Sequence, residues 1–172
     1  RLKESNPCIM GVINITPDSF SGDGKYGNFS VDDICSLAKQ MASDGAAIID
    51  VGGESSRPGA LPVSFKTEIK RVIPFIKKFA RLTQCPISID TRKPEVAREA
   101  LDNGAVIVND IGGLRSKAMA KIIRRYKAAV VIMHMRNTPL NMQKNIRYNS
   151  LIDDIAGYLE KAINTASDAG IP

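Results

Sequence analysis

Five apolar runs in this chain each end on, or carry near their end, a polar or charged side chain. Cys8–Ile15 contains Asn14, and Ala46–Gly52 carries Asp50. Ile87–Asp90 ends on Asp90, Val106–Asp110 on Asn109 and Asp110, and Ala128–Met135 carries His134. A stretch with helical periodicity separates each run from the next. Repetition of this unit is how a barrel or open α/β enzyme collects one site from distant parts of the chain, at the C-terminal ends of its strands. The runs are nearly continuous rather than alternating, which suits parallel strands buried on both faces.

The helical stretches carry their own punctuation. Ser30 precedes Val31-Asp32-Asp33 as an N-cap, and Gly45 stops that pattern. A second helix starts near Ser64, with Phe65, Ile69, Val72, Ile73, Ile76 and Phe79 on one face; Pro74 inside it is expected to bend or divide it. Pro94 suits the first turn of a third helix and Gly104 its end. Ser116 caps a fourth, faced by Met119, Ile122 and Ile123. The fifth, roughly 150–168, turns Ile152, Ile155, Leu159, Ala162, Ile163 and Ala166 inward. Helix-to-strand loops are short, whereas the loops leaving strand ends (16–29, 53–63 and 136–149) are long, which puts function on one face.

At 172 residues, with 44% apolar and 24% charged side chains, the chain reads as one domain with a real core. No apolar run approaches the roughly 20 residues of a membrane helix, and residues 1–7 hold no signal-peptide core. Three cysteines, without metal-ligand spacing, read as free thiols in a reducing cytoplasm. One histidine makes a His-rich zinc site untenable. The net charge of +6 comes mostly from lysines and arginines on outer helical faces, and 5% aromatics without Trp leave few stacking platforms. Neither a nucleic acid nor a membrane is therefore expected as partner.

Asn14, closing the first run within Asn14-Ile15-Thr16-Pro17-Asp18-Ser19-Phe20, offers a hard oxygen suited to Mg2+ held alongside phosphate oxygens; the same string also reads as a plain turn. Gly52-Gly53-Glu54-Ser55-Ser56-Arg57-Pro58-Gly59 supplies a hydroxyl and a planar cation for an anion, without the P-loop pattern. Asp90 and Asn109 end successive strands and should stand side by side. A carboxylate beside a carboxamide suits a planar, multi-donor ligand such as a pterin or purine; the alternative is that Asp90 caps a helix and Asn109 satisfies backbone. Asp50 and Asp110 read as scaffold, His134 as a hydrogen-bonded wall residue.

The strings Met10–Ser21, Asp50–Gly59, Ser88-Ile89-Asp90-Thr91, Asn109-Asp110-Ile111 and Met133-His134-Met135 closely resemble dihydropteroate synthase, in that family's order and spacing. The resemblance implies an α/β fold of the TIM (β/α)8 barrel family, here a partial barrel of about five βα units forming one domain over residues 1–172. It implies a cytoplasmic transferase of folate biosynthesis that condenses p-aminobenzoate with 6-hydroxymethyl-7,8-dihydropterin diphosphate, releases diphosphate with Mg2+, and forms a homodimer. Asn14 matches the family's magnesium ligand and Ser56 a hydroxyl residue on the diphosphate. Asp90 and Asn109 match pterin-gripping residues, and Phe20, Ser56, Arg57 and Pro58 lie in loops around the p-aminobenzoate pocket. Asp90, Asn109 and Arg57 form the expected catalytic set.

Two departures stand out. Ser21-Gly22-Asp23-Gly24 replaces the family's usual Ser-Asp-Gly-Gly. The sequence also stops before the family's next strand, with its Asp-Pro-Gly motif, and before the later lysine strand and Arg-x-His element. A complete barrel takes about 250 residues. The expectation is therefore a chain truncated at its C-terminus, with impaired activity in isolation. The alternatives are a pterin- or folate-binding methyltransferase-type domain, or a non-catalytic partial barrel completed by another chain.

Overall fold

The computed structural model describes residues 7–16 and 30–171. Phe20 and most of the loop after the first strand lie outside them. Five strands alternate with five helices: β1 (Ile9–Asn14), α1 (Val31–Ser43), β2 (Ala46–Gly52), α2 (Phe65–Leu82), β3 (Ile87–Asp90), α3 (Pro94–Asp102), β4 (Ile107–Asp110), α4 (Lys117–Tyr126), β5 (Ala129–Ile132) and α5 (Leu151–Asp168). The strands form one parallel sheet in the order β1-β2-β3-β4-β5. That order decides between the two architectures open to alternating strands and helices. A doubly wound sheet reverses its strand order at a switch point, whereas a barrel wall advances one strand at a time, as here.

One face of the sheet carries Ile13, Val51, Ile89 and Val108, all buried against the helices. Their partners are Ile34 and Ala38 of α1, Val72, Phe75, Ile76 and Phe79 of α2, Val96 and Ala100 of α3, and Met119 and Ile123 of α4. Phe75 and Phe79 stack with ring centroids 5.2 Å apart. The opposite face carries Val12, Asp50, Ser88, Ile107 and Ala129 in one register row, and Asn14, Gly52, Asp90, Asn109 and Val131 in the next. Paired residues of parallel strands point the same way, so polar side chains from four strands share this concave face.

The capping expectations hold at most helix starts. Ser30 and Asp33 form a reciprocal capping box on α1, and Ser64 and Ser116 accept from backbone N–H groups of α2 and α4. Gly104 ends α3 at φ +116°, a conformation open to glycine.

Two expectations need correction. Pro74 does not divide α2, which runs unbroken from Phe65 to Leu82. Pro74 lies on the exposed side of that helix, where the carbonyl deprived of its N–H partner can turn to water. Nor do Ile152 and Ile163 of α5 turn inward: they are 73% and 60% exposed, while Ala162 is buried. Ala166 and Ala169 are partly buried against the core as well, so the small alanines turn inward and the bulkier β-branched pair faces outward.

Candidate active site

Backbone register places the site before any side chain is considered. Asn14 pairs with Gly52, Gly52 with Asp90 and Asp90 with Asn109, so four consecutive strand ends contribute one row. Gly52 is the gap in that row. A methyl group there would lie 3.2 Å from Asn14 Oδ1 and 3.4 Å from Asp90 Oδ2, so the missing side chain leaves open the space that both neighbours face.

Asn109 donates from Nδ2 to Asp50 Oδ2 at 3.1 Å, which fixes the plane of its carboxamide. Asp50 caps no helix and accepts from no backbone N–H among the described residues; its contact is with the Asn109 side chain, which it orients. Among the described residues, three side-chain atoms on this face are buried without a hydrogen-bond partner: Asp50 Oδ1, Ser88 Oγ and Asp90 Oδ1. Buried polar atoms are nearly always satisfied, so a cluster of three marks a place where a ligand or solvent belongs. Asp90 does not cap α3, whose N-cap is Lys93 without a side-chain bond.

The charge on Asp90 follows from this setting. Burial pushes its carboxyl up to about 7, and the neighbouring carboxylates of Asp50, Glu68, Glu54 and Asp110 push in the same direction. It sits near half-ionised at neutral pH, ready to be drawn into the carboxylate form by a ligand that donates to it. Asp110 is raised by burial against the N–H groups of Gly112 and Leu114 (2.7 and 2.9 Å) and the charge of Arg115. It is committed to the β4–α4 turn, as the sequence suggested.

The loop after β2 brings the second group of candidates. Ser56 is half-buried and Arg57 and Pro58 are exposed. Arg57 and Pro58 line a cavity of about 480 Å³ together with Thr16, Ser55, Leu61, Val63 and Arg71. They thus flank the β1 end of the row rather than standing over Asp90 and Asn109. Gly59 donates its N–H to the carbonyl of Pro139 at 2.8 Å, which ties the apex of this loop to the loop after β5.

His134 lies just beyond β5, half-buried, with its ring 4.8 Å from that of Tyr158 and edge-on to it. Tyr158 donates to the carbonyl of Gly112, and Arg115 donates to Tyr158 Oη and to the carbonyls of Met135 and Asn137. His134 is held as part of a wall by ring contacts with Tyr158 and Tyr148 rather than by the hydrogen bond expected of it, and Met135 is buried beside it.

Sequence reading missed a buried ionic cluster beneath the β2 loop, formed by Glu54, Glu68, Arg92 and Lys93. Glu54 accepts from Arg92 Nε at 3.0 Å, Lys93 Nζ at 2.6 Å and the N–H of Val63 at 2.8 Å. Burial works to raise the Glu54 carboxyl, but the Lys93, Val63 and Arg92 hydrogen bonds outweigh it and hold Glu54 below the ordinary glutamate range. Glu68, fully buried on α2, accepts from Lys93 Nζ and from Thr91 Oγ1 at 2.6 Å. Glu54 stands inside the Gly52–Gly59 string, so its neighbourhood at least was marked. Glu68 lies in the first turn of a helix, where a glutamate ordinarily reads as a solvated dipole partner, and nothing local distinguishes it from that.

Asn14 offers one hard oxygen at the mouth, and among the described residues no group of three or more His, Cys, Asp or Glu side chains is placed to hold a metal ion. That donor set suits a cation bound mainly by substrate oxygens, the usual habit of Mg2+, and does not suit an all-protein cage. No helix among the described residues is long and apolar enough to cross a membrane.

Comparison with known proteins bears on the chain as a whole. Residues 10–172 match the family described as pterin binding enzyme. The dihydropteroate synthase of Clostridium beijerinckii is 44% identical over 164 residues, covering 95% of this chain and 58% of that protein. Among solved structures, dihydropteroate synthase from Clostridium difficile, crystallised in the presence of pteroic acid, superposes with a TM-score of 0.86 at 42% identity, covering 98% of this chain and 61% of that one. The Yersinia pestis dihydropteroate synthase, solved with a sulfonamide drug complex, superposes at 0.89 and 38% identity, with 98% and 60% covered. The chain therefore spans about three-fifths of the length of the relatives it matches.

Proposed function

The chain belongs to the pterin-binding enzyme family, and on that premise we propose that its strand-end row serves a dihydropteroate synthase. The substrates are 6-hydroxymethyl-7,8-dihydropterin diphosphate and p-aminobenzoate. The reaction breaks the bond between the pterin methylene carbon and the diphosphate oxygen. The arylamine nitrogen bonds to that carbon and gives up a proton, and diphosphate leaves.

The observation that carries this reading is the row itself: Asn14, Gly52, Asp90 and Asn109 in register, with Asp90 Oδ1 buried and unpaired. A pterin presents an amino group and a ring N–H on one edge, two parallel donors that a carboxylate accepts together. Asn109, held by Asp50, keeps its Oδ1 and second N–H for the ring. The lack of a side chain at Gly52 keeps the row clear between Asn14 and Asp90, so that a flat ligand can lie over it. Ser56 and Arg57 grip the diphosphate, where a planar guanidinium meets phosphate oxygens in pairs. This division of labour gives catalysis by positioning and electrostatic stabilisation, with no covalent enzyme intermediate.

Asn14 would hold Mg2+ by one oxygen, the diphosphate supplying others; the ion, when bound, neutralises charge on the leaving group. The loop that carries Phe20 belongs to the p-aminobenzoate side of the site on this reading. The three free cysteines support a reducing, cytoplasmic setting. A homodimer rests on the family resemblance alone, and light scattering on the eluted protein measures it.

The test is direct. The full-length protein is incubated with both substrates and Mg2+, and dihydropteroate and diphosphate are quantified. Equimolar, protein-dependent formation of both products is expected. Binding of methyltetrahydrofolate with no turnover of the diphosphate substrate would overturn the proposal in favour of a methyl-carrier domain.

A further inference from the structure

The loop that presents Ser56 and Arg57 is an arch whose feet are both held by buried groups. At its first foot the Gly53 backbone is pressed against α2: a methyl group there would lie 2.9 Å from Val72 Cγ1 and 3.0 Å from Glu68 Cγ. Arg71 Nη1 donates to the Gly53 carbonyl at 2.7 Å. Glu54 then reaches across the base of the arch to the N–H of Val63, closing the span between its two ends. The apex is tied through Gly59 to Pro139.

The same Glu54 carboxylate accepts from Lys93, which belongs to a different element. Lys93 lies three residues beyond Asp90, in the turn between β3 and α3. Its ammonium is shared between Glu54 of the arch and Glu68 of α2, and is 17% exposed, against 7% and 1% for the two carboxylates. Thr91 in the same turn donates to Glu68 and accepts from the N–H of Lys93 at 3.2 Å. Two carboxylates, one ammonium and the Arg92 guanidinium thus balance in charge within one cluster. Buried ion pairs of this kind contribute little net stability, because desolvation offsets their attraction.

We propose that Lys93 is a positioning residue that locks the diphosphate-gripping arch to the pterin-gripping end of β3, so that both halves of one substrate meet a pre-set spacing. The inference rests on the reading of the site given above. Lys93 itself touches no substrate in this scheme. It acts through Glu54 on Ser56 and Arg57, and its effect should therefore depend on whether the ligand has a diphosphate. A ligand held only by the ring should sense it less, since Asp90 and Asn109 are placed by strand register and by Asp50 rather than by the arch, and Lys93 reaches Asp90 only through the charges of Glu54 and Glu68.

The test compares two ligands on the full-length protein: 6-hydroxymethyl-7,8-dihydropterin diphosphate and the same pterin alcohol without phosphate. Affinities are measured by titration calorimetry for wild type, Lys93→Met, Lys93→Arg and Glu54→Gln, and KM and kcat are determined in parallel. Lys93→Met should weaken the diphosphate ligand about tenfold or more and the alcohol by no more than about threefold. KM for p-aminobenzoate should stay within about twofold, and Lys93→Arg should restore most of the loss. Glu54→Gln, which keeps an oxygen for the Val63 N–H and so disturbs folding less, should move the diphosphate ligand in the same direction. Equal losses for both ligands in Glu54→Gln and Lys93→Met, or no loss for either, overturn the proposal. Absence of turnover by the wild type would refute the catalytic reading, yet the ratio of the two affinities would still decide the role of Lys93. A wild type that binds neither ligand refutes both.

Discussion

Asn14 and Asp90 face one another across Gly52, from strands that are not themselves neighbours. A single methyl group at Gly52 would touch both, at 3.2 Å from Asn14 Oδ1 and 3.4 Å from Asp90 Oδ2. The relationship is a product of register: a one-residue slip of β2 would put Val51 between them and turn Gly52 to the helices. The candidate metal contact and the candidate pterin contact are therefore held at one spacing by the sheet.

Gly52→Ala tests that spacing. Its contacts would be tight but not forbidding, so the fold should survive with a melting temperature within about 3 °C of wild type. Affinity for the dihydropterin diphosphate should fall about tenfold or more, because the methyl group occupies ligand space. Calorimetric titration beside a thermal melt checks both halves.

Asp90 should leave a signature in the pH dependence of stability. Its carboxyl sits at about 7 in the folded chain against an ordinary value of 3.8, so between these the native state binds the extra proton. The contribution is fully present below the lower value and is lost as pH rises toward 7. Asp90→Asn removes that slope, and by pH 8 the variant should be the more stable by about 1 kcal/mol or more. Glu54, held below its ordinary value, works in the opposite sense and only on the acid side. Melts from pH 5 to 8.5 should diverge between wild type and variant; parallel curves would refute the assignment.

Asp50→Asn separates orientation from charge. The amide oxygen can still accept from Asn109, while a negative charge beside Asp90 disappears. The pH at which pterin binding is half-maximal should shift downward, with the plateau affinity changed less than about threefold. A midpoint that stays put would mean that Asp50 acts on Asp90 in no electrostatic way.

Glu68→Ala should be among the more damaging single changes in the chain. It leaves the Lys93 ammonium with half its partners and Thr91 Oγ1 without its acceptor, in a fully buried place. The expected loss is about 3–5 kcal/mol in urea-monitored unfolding. Glu68→Gln, which can still accept from Thr91, should lose less.

Much of this architecture is visible in the sequence because apolar residues declare themselves by periodicity. The polar residue closing each run, and the glycines and prolines between them, mark where strands end and which face is the mouth. Asp90 and Asn109 could be placed side by side on that basis alone. Pro74 could not be judged, because its effect depends on whether its side of the helix meets water. Ile152 and Ile163 obey helical spacing but miss the buried stripe, since periodicity gives a face and not what it packs against. Glu54, Glu68 and Lys93 lie furthest from view: Lys93 meets its partners across 39 and 25 residues of chain, and no local pattern signals such a pairing.

The central claim is that Asp90, in the row set by strand register, is what holds the pterin. Titration of 6-hydroxymethyl-7,8-dihydropterin diphosphate into the full-length protein at pH 8 with Mg2+, wild type against Asp90→Ala, tests it most directly. The expected result is one-to-one binding by the wild type and a loss of about 100-fold or more in the variant, the equivalent of two charge-assisted hydrogen bonds, with far-ultraviolet circular dichroism unchanged. Equal affinities for the two proteins would contradict it.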